Sequence, residues 1–177
     1  MKTDKQETGC LGEDIAAAFL RGKGYDILER NVHVGHGELD IVAKCGNALV
    51  FAEVKTRHAK QGQNSPYGTP ADAVDRRKQE MLVKTADEYL KRHTELGELF
   101  PRIDVIEVYL DSFDRASAVE HYENAVHPAY QCDCGRDEHH SLFWPLFRNH
   151  SQRPHCADRK PVEVCVLSDF HFDPAAV

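Results

Sequence analysis

Gly37-Glu38-Leu39-Asp40-Ile41-Val42-Ala43 and, beyond a Gly46-Asn47 turn, Val50-Phe51-Ala52-Glu53-Val54-Lys55-Thr56-Arg57 decide how this chain folds. Both are apolar runs with strand character, and the short Gly-Asn link predicts that the second folds back on the first. Successive side chains in a strand alternate faces, so Glu53 and Lys55 point the same way while Val54 points to the other side. Asp40 sits near the start of the first run and is brought toward Glu53. Two carboxylates and an ammonium are therefore expected to converge at one edge of a sheet.

Mg²⁺ takes few ligands from a protein when substrate phosphate and water complete its octahedron, and two carboxylates supply them. A lysine beside them can orient or deprotonate an attacking water and offset charge building on the phosphate. Such a site suits metal-assisted phosphodiester hydrolysis. The plainer explanation of Glu53 and Lys55 is a same-face ion pair at a sheet edge, and the surrounding sequence weighs against it.

Outward from these strands the order of elements is α/β. From about Gly9 to Arg21, Leu11, Ile15, Ala18 and Phe19 fall on one face of a short amphipathic helix that Gly22 and Gly24 terminate. Glu13 lies in its first turns. Tyr25 to Val34, Glu38 to Cys45 and Ala48 to Thr56 read as three meandering strands. Arg57 to Thr69 is a polar loop directly after the second motif. Thr69 as N-cap and Pro70 in the first turn open a long helix to His93, with a break near Asp75. Arg102 to Leu110 alternates as a strand, with Ile103, Val105 and Glu107 opposite in face to Asp104, Ile106 and Val108. Val119 to Asn124 adds a last edge strand. Asp104 is assigned a structural role, pairing with Arg102 or a nearby cation.

These pieces, in order, resemble the YraN family of small nuclease-like proteins within the PD-(D/E)xK, or restriction-endonuclease-like, superfamily. The likeness runs from about Gly9 to Pro128. It rests on Gly12-Glu13, Gly24-Tyr25, Ile27 to Asn31, Gly37 to Ala43, Glu53 to Arg57, Gly68 with Ala73-Val74, Lys78, Ala86 with Tyr89-Leu90, and Arg102 to Val105. The resemblance implies a three-layer core, a mixed sheet flanked by helices, over residues 1–128, followed by a Cys/His-containing extension over 129–177. It implies Asp40 and Glu53 as ligands of Mg²⁺ or Mn²⁺, Glu13 as a further acid for the metal, and Lys55 as the catalytic lysine. The implied activity is endonucleolytic, with DNA preferred as the nucleic-acid partner. Superfamily members that cut both strands often work as dimers, which makes a homodimer one expectation.

Charge supports a local rather than a global interaction with nucleic acid. Twenty-two Lys and Arg against twenty-nine Asp and Glu leave a net charge of −7, which argues against coating nucleic acid by bulk electrostatics. Between Lys55 and Arg92, however, nine bases face five acids, so positive charge gathers beside the proposed site. Arg57 and Lys78 are the expected phosphate contacts; Lys84, Lys91 and Arg92 read as a solvated helix face. No stretch is long and apolar enough for a membrane span, and Met1 to Gly9 lacks a signal-peptide core, so a cytoplasmic location is expected. Cys10 and Cys45, in apolar contexts, read as small buried residues.

The region from Val126 onward holds four of the six cysteines and six of the eleven histidines. Cys132, Cys134, His139, His140, His150, His155, Cys156 and Cys165 are zinc-type donors, but their spacing matches none of the usual zinc modules. A partly disordered extension is favoured over zinc. Val164 to Asp173 looks like the opening strand of a calcineurin-like phosphoesterase, and Asp169 and His171 are read as coincidence because too little chain follows. Two other function classes stay open: a nucleic-acid-binding or repair accessory protein that binds without cutting, and an interaction protein acting through the Cys/His-rich tail. No G-x-S-x-G elbow, Walker loop or H-E-x-x-H motif supports another hydrolase chemistry.

Overall fold

A helix opens the chain because the sequence can bury one of its faces and stop it cleanly. In the computed structural model, which describes residues 4–58, 74–126 and 163–166, α1 spans Asp4–Gly22 and buries Ile15, Ala16, Phe19 and Leu20. Gly24 follows at φ 83°, the Tyr25 N–H donates to the Leu20 carbonyl at 3.0 Å and the Gly24 N–H to Arg21 at 2.9 Å. This is a Schellman stop, with the Tyr25 and Leu20 side chains in the same core closing it. The helix begins earlier than the Gly9 read from sequence, because polar residues 4–8 extend it without an apolar face to announce them.

Three strands then meander: β1 (Asp26–Val34), β2 (Gly37–Cys45) and β3 (Ala48–His58), each antiparallel to the next. The Gly46-Asn47 turn forms as read, with Gly46 at φ 58°. The second helix, α2, spans Arg76–Arg92. Its N-cap is Asp75, whose carboxylate accepts the Lys78 N–H at 2.9 Å, so the break read near Asp75 is a helix start. It carries the chain to β4 (Phe100–Leu110), which pairs parallel to β3 along its whole length. β5 (Ala116–Val126) returns antiparallel. A short strand, β6 (Glu163–Val166), pairs antiparallel with β5, so β5 is longer than read and is not the edge.

The result is the expected three-layer α/β core, a mixed sheet in the order β1-β2-β3-β4-β5-β6 with one helix on each face. On the α1 face Ile41, Val50, Val54, Ile106 and Val108 pack with Phe19 and Leu20. On the α2 face Val42, Phe51 and Val105 pack with Leu82, Ala86 and Tyr89. Burying side chains of this size is worth roughly 1.5–3 kcal/mol each, which is why the alternation of β3 and β4 is strict. Both helices approach closely: a Cβ on Gly12 would lie 1.8 Å from Thr56 Oγ1, and one on Gly37 1.9 Å from Thr85 Oγ1.

Asp104 is fully buried, as its structural assignment requires. Its carboxylate accepts from Arg102 at 2.9 Å, from the Asn124 N–H at 2.8 Å, and lies 2.9 Å from His121 Nε2. Cys10 and Cys45 are half-buried rather than buried. No helix among the described residues is long and apolar enough to cross a membrane. The readings of the polar loop beyond His58, of Thr69 and Pro70, of the Cys/His pairs from Cys132 to Cys156, and of Asp169 and His171 lie outside the described residues.

Candidate active site

The site begins where β2 leaves β3. Their pairing runs from Cys45↔Ala48 to Ile41↔Ala52 and ends there. In the next position Asp40 does with its side chain what a strand backbone would do: Oδ2 accepts the Val54 N–H at 2.7 Å. On β1, Arg30 pairs with Ile41 and Val32 with Leu39, which leaves Asn31 across from Asp40. Asn31 has φ 52°, a left-handed conformation that asparagine tolerates better than most residues. Face alternation breaks at this pair. Ile41 joins the α1-side core, whereas Leu39 and Val32 join the α2-side core.

Glu53 follows Phe51 on the α2 face of β3, directly opposite Val105 of β4, and is only 2% exposed. Two lysines meet it. Lys55 Nζ donates to Oε1 at 2.6 Å, and Lys78 Nζ, from the first turn of α2, stands 3.1 Å from Oε2. The second contact is an ion pair without hydrogen-bond alignment, so Oε2 is a buried oxygen with no hydrogen bond. Beside it, burial and the charge of Glu53 push the Asp40 carboxyl up to about 7, against lowering by the Val54 N–H and Lys78.

Glu13 reaches this region from α1. Its charge is felt at Asp40, and its own carboxyl is raised, first by burial, while a hydrogen bond with Asn31 and the charge of Arg30 pull it down. The Gly12–Thr56 contact explains the placement, because only glycine lets α1 come this near the strand that carries Lys55. Arg30 anchors the same turn through Asp14 at 2.6 Å.

All six residues singled out from sequence are described. Asp40, Glu53, Lys55 and Lys78 form one cluster, with Glu13 in electrostatic contact. Lys78, expected on phosphate, meets Glu53. Arg57 meets Glu107, which is 3% exposed and also accepts the Tyr109 hydroxyl at 2.6 Å. Sequence reading missed Asn31, Arg30 and Glu107 as supports of the site. The usable signals were an asparagine inside a strand run, where left-handed backbone is tolerated, and a carboxylate inside an otherwise apolar strand. Among the described residues no three His, Cys, Asp or Glu side chains gather closely enough to hold a metal by themselves.

Residues 12–108 match the sequence pattern of an uncharacterised protein family, UPF0102. A UPF0102 protein of Clostridium botulinum strain Loch Maree is 40% identical over 120 residues, 68% of this chain and 94% of the relative. One from Caldanaerobacter subterraneus subsp. tengcongensis is 43% identical over 110 residues, 62% of this chain and 85% of that one. Among solved structures, Pyrococcus furiosus SfsA in complex with Ca²⁺ overlays at TM-score 0.31 and 18% identity, covering 71% of this chain and 66% of that chain. That overlay is too loose to assign anything to the site.

Proposed function

The chain belongs to the uncharacterised protein family UPF0102, the YraN family that its motifs resemble, and because that membership carries no chemistry we propose the function from the site. The protein binds nucleic acid and hydrolyses phosphodiester bonds as a divalent-cation-dependent endonuclease, with DNA or structured nucleic acid as substrate. The observation that carries this reading is Glu53, a buried carboxylate with one oxygen lacking a hydrogen bond, next to an Asp40 whose carboxyl is held up to about 7. Acids so crowded, with a hard oxygen left to coordinate, suit Mg²⁺ or Mn²⁺.

Asp40 and Glu53 would hold the cation, with Glu13 supporting it, and the cation would supply Lewis-acid activation of the phosphate and a more acidic bound water. The protein side chains do the rest. Asp40 is fixed by the Val54 N–H and cannot swing away. Lys55, on the same face of β3 as Glu53, points its Nζ into the site and positions the attacking water. Arg57, two residues on and braced by Glu107, lies along the same face for the substrate backbone.

Binding without cleavage would use the same Lys55, Arg57 and Lys78 against phosphates, so turnover alone separates that reading from the nuclease. Cleavage of labelled DNA and RNA structures with Mn²⁺, Mg²⁺ or EDTA, by wild type and by Asp40→Ala, Glu53→Ala and Lys55→Ala, decides between the two. Metal-dependent cutting lost in all three variants establishes the nuclease; binding without cutting, unchanged in the variants, removes the catalytic assignment.

A further inference from the structure

Two lysines serve one buried carboxylate, and they are not equivalent. Lys55 is tied to Glu53 by the strand they share and by a 2.6 Å hydrogen bond to Oε1. Lys78 comes from another element and stands 3.1 Å from Oε2 without hydrogen-bond alignment, and since the two side chains are about equally exposed, at 30% and 32%, the missing bond is what sets it apart. Its long apolar stem lets the ammonium reach solvent with little loss.

The helix that supplies Lys78 is built against local preference. The first turn of α2 reads Arg76-Arg77-Lys78 and contains no acid, although the helix dipole favours negative charge there. Asp75 offsets part of this as N-cap. Three bases at that position cost stability, which Arg76 offsets within the helix through Glu80 at 3.3 Å, whereas Lys78 finds its partner only on another element, at Glu53.

We propose that Lys78 is the resident counter-ion of Glu53, that a divalent cation displaces it, and that the released ammonium then takes a substrate phosphate. This rests on the nuclease reading of the site. A carboxylate 98% buried needs compensating charge at all times, since an unpaired buried ion is costly. A cation arriving at Oε2 places two positive charges where an ammonium already stands, and the two repel. Lys55 is held in place, so Lys78 is the group that leaves. Cation binding and substrate binding are thereby coupled through one side chain, with no other movement of the fold.

Calorimetric titration with Mn²⁺, without nucleic acid, tests the first half. Lys78→Met removes the competitor and is expected to tighten Mn²⁺ binding on the order of tenfold in Kd, while Lys78→Arg stays near wild type. Lys78→Gln, a milder neutral change, gives the same direction if the methionine variant folds poorly. Unchanged or weaker binding in both neutral variants, with wild-type binding still abolished by Asp40→Asn, overturns the counter-ion role alone. No Mn²⁺ binding by wild type, or binding that survives Asp40→Asn, overturns the nuclease reading and this inference with it. The second half is read by anisotropy of a labelled oligonucleotide in Ca²⁺ or EDTA. Lys78→Met should lose several-fold affinity in Ca²⁺ and almost none in EDTA; an equal loss in both overturns the handover.

Discussion

Asp40 Oδ2 holds the Val54 N–H, so the residue at which β2 parts from β3 is still bonded to the strand that carries Glu53 and Lys55. The bond makes Asp40 part of the framework as well as of the proposed chemistry. Asp40→Ala strands that N–H in a protein interior, at a cost of about 1–3 kcal/mol. Asp40→Asn retains an acceptor and should melt no lower than wild type. Both should lose cleavage. Thermal melts of the two variants separate the structural contribution from the catalytic one.

The raised carboxyl of Asp40 sets a direction for stability against pH. Its folded value, about 7, lies above its ordinary 3.8, so between those values the folded protein holds a proton that the unfolded chain has released. Its contribution to stability therefore falls as pH rises from about 4 to about 7 and is lowest above that. Asp40→Asn should melt higher than wild type at pH 8 in EDTA and nearly the same at pH 4. Divalent binding should strengthen through neutral pH and release protons, visible as buffer-dependent heats in calorimetry.

The strands, both helices and the Glu53–Lys55 face were legible because β-run alternation, the Gly46-Asn47 turn and the glycines after α1 are local signals. Asp40 beside Glu53 followed from the same hairpin. Asn31 against Glu13 was not legible, since it depends on α1 lying over β1 and on a left-handed residue within a strand. Lys78 was legible as a base beside the site, but its contact with Glu53 arises only when α2 packs across the sheet. β6 falls at the start of the strand-like run read from Val164, and only its pairing with β5 had no local signal.

Gly12 is expected to be intolerant of any side chain. An added Cβ meets Thr56 Oγ1 at 1.8 Å, Cβ at 2.9 Å and Cγ2 at 3.0 Å, so rotating Thr56 exchanges one clash for another. Gly12→Ala should destabilise by about 1–3 kcal/mol and push α1 outward, taking Glu13 from the site. Thr56→Ala added to it should recover part of the melting temperature. Gly24→Ala, which meets no neighbouring atom but sits at positive φ, should lower stability without touching cation binding.

Asp104 and His121 lie on the α1 face and should be energetically independent of the site. Removing the buried Asp104 carboxylate from its ion pair with Arg102 costs about 3–5 kcal/mol, and Asp104→Ala also takes a partner from His121 and from the Asn124 N–H. The loss in chemical denaturation should add to that of Asp40→Ala. Non-additivity would show that the two networks communicate through β3 and β4.

Because β3 and β4 run parallel, their pairing has to wait for the crossover through α2, whereas Asp40 and Glu53 meet in a hairpin that closes quickly. On this topology the acids are expected to come together before Lys78 arrives. The chain thus passes a stage in which its own future site repels itself, and refolding should be quickened by anything that screens or supplies charge there. If the site takes the proposed divalent cation, that cation would also act earlier, as a folding aid for the chain.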